Sequence, residues 1–163
     1  MKKLAIAFAG LLALPALTAA ATPPPVPCGV NLVSFYYGGF SQNLSLGSFD
    51  LTLLAHDGVT CTLPDTPLIA VGGPDGSVPL HVDGRGGTLV LRPNSPLHAS
   101  LSYNLPDLPE NAVKISYLHL SMPDKSLRGS YFGTPGVIDI NKNGVFVTAW
   151  RTGIGLGQGE GTS

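Results

Sequence analysis

The stretch LVLRPNSPLHASLSY, residues 89–103, decides the fold class. Leu89 to Leu91 favour a strand and run into Arg92-Pro93-Asn94-Ser95-Pro96, where two prolines bar a helix and break any ladder. Beyond Pro96 the chain alternates. Leu97, Ala99, Leu101 and Tyr103 fall on one face, and His98, Ser100 and Ser102 on the other. A period of two with one apolar side is the pattern of a half-buried strand. The stretch therefore reads as strand, proline turn, strand.

The same pattern recurs outward in both directions. Val30 to Tyr37 places Val33, Phe35 and Tyr37 on one face, and Gly38-Gly39 ends it. Leu44 to Leu54 is the longest run, and its phase slips at Gly47-Ser48, which predicts a bulge there. Shorter runs follow at Val59–Leu63, Leu68–Val71, Val78–Val82 and Thr88–Arg92, separated by Gly, Pro and Asp turns. Val113 to Met122 reads as one strand with Leu118, Leu120 and Met122 sharing a face. Val137–Ile140 and Val145–Trp150 flank Asn141-Lys142-Asn143-Gly144, a hairpin signal. No amphipathic helix is evident, and Gly and Pro together supply 36 of the 163 residues, 21 and 15 respectively. The expectation is an all-β, immunoglobulin-like antiparallel sandwich of about 7–9 short strands. Proline-broken loops at 64–67, 93–96 and 106–109 favour two sheets over an up-and-down barrel.

The ends have a different character. Lys2 and Lys3, the apolar stretch Leu4–Leu17 and the small residues Ala19-Ala20-Ala21 have the order of a secretory signal peptide, expected over 1–21. Gly10 and Pro15 interrupt the apolar stretch, which is shorter than the roughly 20 residues that span a bilayer. TPPPVP, residues 22–27, reads as an extended proline-rich linker, 28–152 as the sandwich domain and 153–163 as a flexible, glycine-rich tail. The protein is thus expected to be exported: periplasmic, cell-envelope or extracellular. Without the leader, seven basic residues face ten acidic ones, a net charge of −3, and there is no basic run. Nucleic acid and anionic membrane surfaces are poor partners for such a chain.

The chain has two cysteines, Cys28 and Cys61, 33 positions apart. In an exported chain they most economically form one disulfide. The rival, a redox pair, normally has the C-x-x-C spacing, which is absent.

No nucleophile motif or convergent acid pair stands out. Most of the eight Asp residues lie in Asp-Gly or Pro-Asp turns, where the side chain caps its own backbone. This points away from an enzyme, with no cofactor expected. His98, His119 and Met122 are the candidate soft ligands for copper. At period two, however, His119 and Met122 fall on opposite faces of a strand. The aromatics Phe35, Tyr36, Tyr37 and Phe40 crowd one segment, and Tyr131 and Phe132 precede the last two runs. Some must face outward, and outward aromatics are a candidate binding surface.

Several segments together resemble a secreted bacterial family, domain of unknown function 4232. These are the Cys opening the first strand, the CTL tripeptide ahead of a proline turn, LVLRPNSPLHASLSY, LHLSMPD (118–124) and VIDINKNGVFVTAW (137–150). The resemblance covers about residues 28–152. It implies an immunoglobulin-like sandwich, export and no established activity. Members often carry a second cysteine pair, absent here, and Asn141 or a neighbour stands where the later cysteine would fall. The functional expectation is a non-enzymatic module for recognition or structural support at the cell envelope, with an envelope or extracellular protein or glycan as partner. The alternative is a periplasmic copper-binding protein with a cupredoxin-like sandwich.

Overall fold

The computed structural model describes residues 24–131 and 137–155, with the backbone alone for 129–131. The expected leader, Phe132 and residues 156–163 lie outside these. In chain order the strands are β1 (Val26–Pro27), β2 (Val33–Gln42), β3 (Leu46–Ala55), β4 (Cys61–Pro64), β5 (Ile69–Gly73), β6 (Gly76–Ser77), β7 (Leu80–Val82) and β8 (Thr88–Leu91). They continue with β9 (Leu97–Asn104), β10 (Ala112–Ile115), β11 (Tyr117–Ser121), β12 (Leu127–Tyr131), β13 (Ile138–Asn141), β14 (Val145–Val147) and β15 (Arg151–Thr152). The only helix among the described residues is one 3-10 turn, Pro109–Asn111. The protein is an all-β sandwich, cut into more and shorter strands than the sequence suggests.

The large sheet has the order β2-β3-β9-β14-β7, with β15 also pairing β9. Smaller sheets have the orders β12-β11-β5-β6, β1-β4-β8 and β10-β13. Most pairs are antiparallel, but β1 runs parallel to β4 and β7 parallel to β14. Val26–Pro27, expected as linker, is thus already strand, registered on Cys61 and Thr62.

One core joins the sheets. β9 buries Leu97, Ala99, Leu101 and Tyr103, as its alternation requires, and β3 buries Phe49, Leu51 and Leu53. Leu53, Leu63, Leu120, Met122 and Trp150 line one small gap between the opposing elements. Leu118, Leu120 and Met122 share this inner side, all buried.

Three local expectations are corrected. The bulge is not at Gly47-Ser48 but on the partner strand, where the β2–β3 register shifts between Gly38 and Ser41. Gly39, at φ 50°, supplies the backbone for it. β3 itself stays in phase because Leu44 and Leu46 point to solvent and Gly47 takes the inward position. The strand expected over Val113–Met122 breaks at Ser116. β10 then pairs β13, and β11 pairs β5 and β12.

The third correction concerns Asn141–Gly144. The local turn forms: the Asn141 carbonyl accepts from the Gly144 N–H at 3.0 Å and its side-chain oxygen from the Asn143 N–H at 3.0 Å. The flanking strands do not pair with each other, however. β13 joins β10, whereas both edges of β14 are taken by β9 and β7. Gly144 (φ 95°) passes so close to Pro79 that a Cβ would lie 2.0 Å from the Pro79 carbonyl oxygen. The turn carries the chain between sheets instead of closing a hairpin.

The disulfide Cys28–Cys61 is formed, with Cα atoms 4.9 Å apart and both residues fully buried. It ties the entry of the chain to β4, beside the Cys28 N–H to Thr62 carbonyl bond at 2.9 Å. No helix among the described residues is long and apolar enough to cross a membrane.

Candidate binding cleft

The outer face of the large sheet carries the side chains that alternate with the core. Across β2, β3 and β9, Tyr36 stands opposite Thr52 and Thr52 opposite His98; Gly38 stands opposite Asp50 and Asp50 opposite Ser100. An outer face is normally solvated, yet Asp50 and Thr52 are buried. The chain segment after β15 accounts for this. Gly153, Ile154 and Gly155 leave β9 and cross β3 toward β2 as a strap.

The strap is held by polar contacts. The Gly153 N–H donates to the Pro96 carbonyl at 2.8 Å, and the Gly155 N–H to Thr52 Oγ1 at 3.3 Å. His98 Nδ1 lies 3.2 Å from the Gly153 carbonyl oxygen, so this nitrogen carries the proton in the contact. Below the strap, Ser100 Oγ donates to Asp50 Oδ1 at 2.5 Å. The Ser100 N–H donates to Thr148 Oγ1 at 3.0 Å. The approach needs glycine on both sides. A Cβ on Gly155 would lie 2.6 Å from Asp50 Cβ, and one on Gly38 would lie 3.0 Å from the Gly155 carbonyl oxygen.

Between the strap and the β2 edge lies a cleft of about 240 Å³, walled by Tyr36, Tyr37, Leu54, Pro96, Ile154 and Gly155. Among the described residues no charged side chain lines it. Tyr36, 54% exposed, offers a ring face with a hydroxyl at its tip. The wall is mostly apolar, with the Tyr36 hydroxyl and Thr52 among its few polar side chains.

A larger, open cleft of about 490 Å³ lies against Asp75, Asp107, Lys114 and Asp139. Its charges are largely satisfied from within. Lys114 Nζ lies 3.0 Å from Asp139 Oδ1 in an exposed ion pair. Asp107 accepts from Asn111 Nδ2 at 2.8 Å, the main cause that holds its carboxyl below the ordinary range, helped by the Leu108 N–H and the Lys142 charge.

The sequence candidates divide unequally. Tyr36 and Tyr37 line the cleft. Phe35 turns inward, its ring 5.1 Å from that of Tyr37 in an edge-on contact, and lies against Val33 and Leu53. Phe40 is exposed in the bulge. Tyr131 belongs to β12, in register with Tyr117, well away in the other sheet.

The three candidate copper ligands are not brought together. His98 is on the outer face of the large sheet, His119 on the outer side of β11 with its ring 4.7 Å from the ring of Tyr117, and Met122 in the core between the sheets. No cluster of three or more His, Cys, Asp or Glu side chains suited to a metal occurs among the described residues.

Leu54, Pro96, Ile154 and Gly155 escaped sequence reasoning. Leu54 closes the Leu44–Leu54 run and is not singled out by it. The strap falls within 153–163, the stretch whose glycine content predicts a flexible tail. The available signal was the spacing: glycine stands at 153, 155, 157, 159 and 161, every second position, which leaves one side of an extended chain bare. No protein-family model, no curated protein and no solved structure matches the chain.

Proposed function

We propose that this chain is an exported, non-enzymatic recognition module of the cell envelope that holds an apolar segment of another envelope protein in the cleft beside Tyr36. The observation that carries this reading is the uncharged wall of Tyr36, Leu54, Pro96 and Ile154, set on the outer face of the large sheet beside the polar Thr52, Asp50 and Ser100. Export is supported by the signal-like residues 1–21 and by a buried disulfide, which persists in oxidising compartments. The resemblance to domain of unknown function 4232 points the same way. The sheet wall of the cleft, on β2 and β3, suits binding by a preformed surface.

The test is co-sedimentation of residues 22–163 with purified cell-wall and outer-envelope fractions. Wild type, Tyr36→Ala and, as a control across the same face, Phe146→Ala are compared. Wild type and Phe146→Ala are expected in the pellet and Tyr36→Ala in the supernatant, with retention lost when the fractions are first treated with protease. Equal retention of all three proteins would remove the cleft from the reading. Retention that survives protease but not glycan digestion would replace the protein partner by a glycan. No retention of the wild type would end the envelope reading.

A further inference from the structure

We infer that Gly153–Gly155 is a hinged wall of the cleft, docked by a few hydrogen bonds and close backbone packing and released by local opening, so that filling the cleft and docking the strap are coupled. The inference rests on the cleft being the binding site.

The strap sits at the weak end of the molecule's stability. Two of its residues have no side chain, and the side chain of the third, Ile154, is 64% exposed and borders the cleft. No apolar side chain of the strap is therefore sunk in the core. Its polar hold consists of the Gly153 and Gly155 N–H donations and the His98 contact, at 2.8–3.3 Å, beside the backbone packing of Gly155 on Asp50 and Gly38. Neutral hydrogen bonds of this kind contribute little each, and glycine regains more backbone freedom on release than other residues. Release also returns water to Asp50, whose burial the strap imposes. Segments held by few apolar contacts open locally at far lower free energy than the core.

The coupling follows from geometry. An occupant of the cleft touches Ile154 and Gly155 on one wall and Tyr36 and Leu54 on the other. It meets all four only when the strap is docked, so it binds that state better, and a difference in affinity is what shifts such an equilibrium. By linkage, whatever undocks the strap weakens binding to the same extent.

The test uses residues 22–163 and begins without any partner. Amide hydrogen exchange, followed by NMR, is expected to show Gly153 and Gly155 exchanging about a hundredfold faster than Leu53 and Leu101, yet slower than an unstructured peptide. Gly155→Ala puts its Cβ against Asp50 and is expected to abolish that residual protection while leaving β3 and β9 unchanged. Exchange of the wild-type strap at the rate of the core, or with no protection at all, would overturn the hinge.

The second readout is co-sedimentation with the envelope fractions. Gly155→Ala is expected to pellet about tenfold less than wild type. Should it lose strap protection and still pellet like wild type, the coupling is refuted while the recognition reading stands. Should Tyr36→Ala also pellet like wild type, the cleft reading fails and the coupling fails with it.

Discussion

The ring of Tyr103 lies over the backbone of Gly47, its partner across the β3–β9 ladder, so closely that a Cβ on Gly47 would sit 2.2 Å from Tyr103 Cζ. The pair explains why β3 can place a glycine inward between Leu46 and Phe49 without leaving a hole, since the aromatic ring fills the space. Gly47→Ala is therefore an overpacking change in a closed core. It is expected to destabilise the fold by about 2 kcal/mol. Urea unfolding should show a lower midpoint at unchanged m, and an unchanged midpoint would mean that the ring swings aside freely.

The Tyr103 hydroxyl is buried with no hydrogen-bond partner, the only such side-chain atom among the described residues. A donor left unpaired in the core is a desolvation loss with no return. Tyr103→Phe is thus expected to stabilise by about 1 kcal/mol. Burial also pushes the Tyr103 phenol above its ordinary value. The sign follows from linkage. The unfolded chain loses this proton first, so the contribution is intact below the ordinary tyrosine value of about 10 and is lost as pH rises through the folded value. Thermal melts of wild type above pH 10 should therefore fall more steeply than those of Tyr103→Phe; parallel curves would place the hydroxyl in water.

Strand character was legible wherever alternation ran long: β9 follows its pattern residue by residue. Pairing was legible much less often. Asn141–Gly144 has every local mark of a hairpin, but β14 is claimed on both edges by β9 and β7, and that competition involves residues 40 or more positions away. Leu44 and Leu46 misled because a solvent-facing leucine looks the same in sequence as a core one. The cleft was half visible. Tyr36 and Tyr37 lie in a conspicuous aromatic run, whereas Pro96 and Ile154 join them only through the crossing of the strap.

Acid stability should depend on Asp65. Its carboxyl is held below the ordinary value chiefly by the Arg85 N–H, against some desolvation, and further by the Gly87 and Gly86 N–H groups and the Thr66 hydroxyl. The Arg85 and Gly86 donors lie at 3.0 and 3.1 Å and join the 83–87 loop to the turn before β5. With the folded value depressed, the contribution is present above the unfolded carboxylate value, near 3.9, and lost as pH falls through the folded one. Asp65→Asn should flatten the acid limb of stability against pH and speed amide exchange at Arg85 and Gly86. An unaltered acid limb would assign the acid sensitivity to Asp107 and Asp124, whose carboxyls are lowered as well.

The Cys28–Cys61 bridge closes a loop of 33 residues and lies wholly inside the protein. On the chain-entropy account such a crosslink contributes about 3–4 kcal/mol by restricting the unfolded chain. Without it, the entry of the chain would be held by a short parallel pairing to β4, the Cys28 N–H to Thr62 carbonyl bond, the Thr62 hydroxyl to Val26 carbonyl bond and the Asp124 N–H to Cys28 carbonyl contact at 3.3 Å. The double variant Cys28→Ala/Cys61→Ala is expected to fold with its midpoint lowered accordingly, because the core contacts of β3, β9 and β11 remain. In the wild type, thiolate attack requires access to a sulfur that the fold denies. Dithiothreitol should thus leave the bridge intact under native conditions and reduce it promptly once urea is added, as followed by alkylation and mass. Rapid reduction in the native state would show instead that the entry strand opens on its own, and that the bridge anchors a locally unfolding segment.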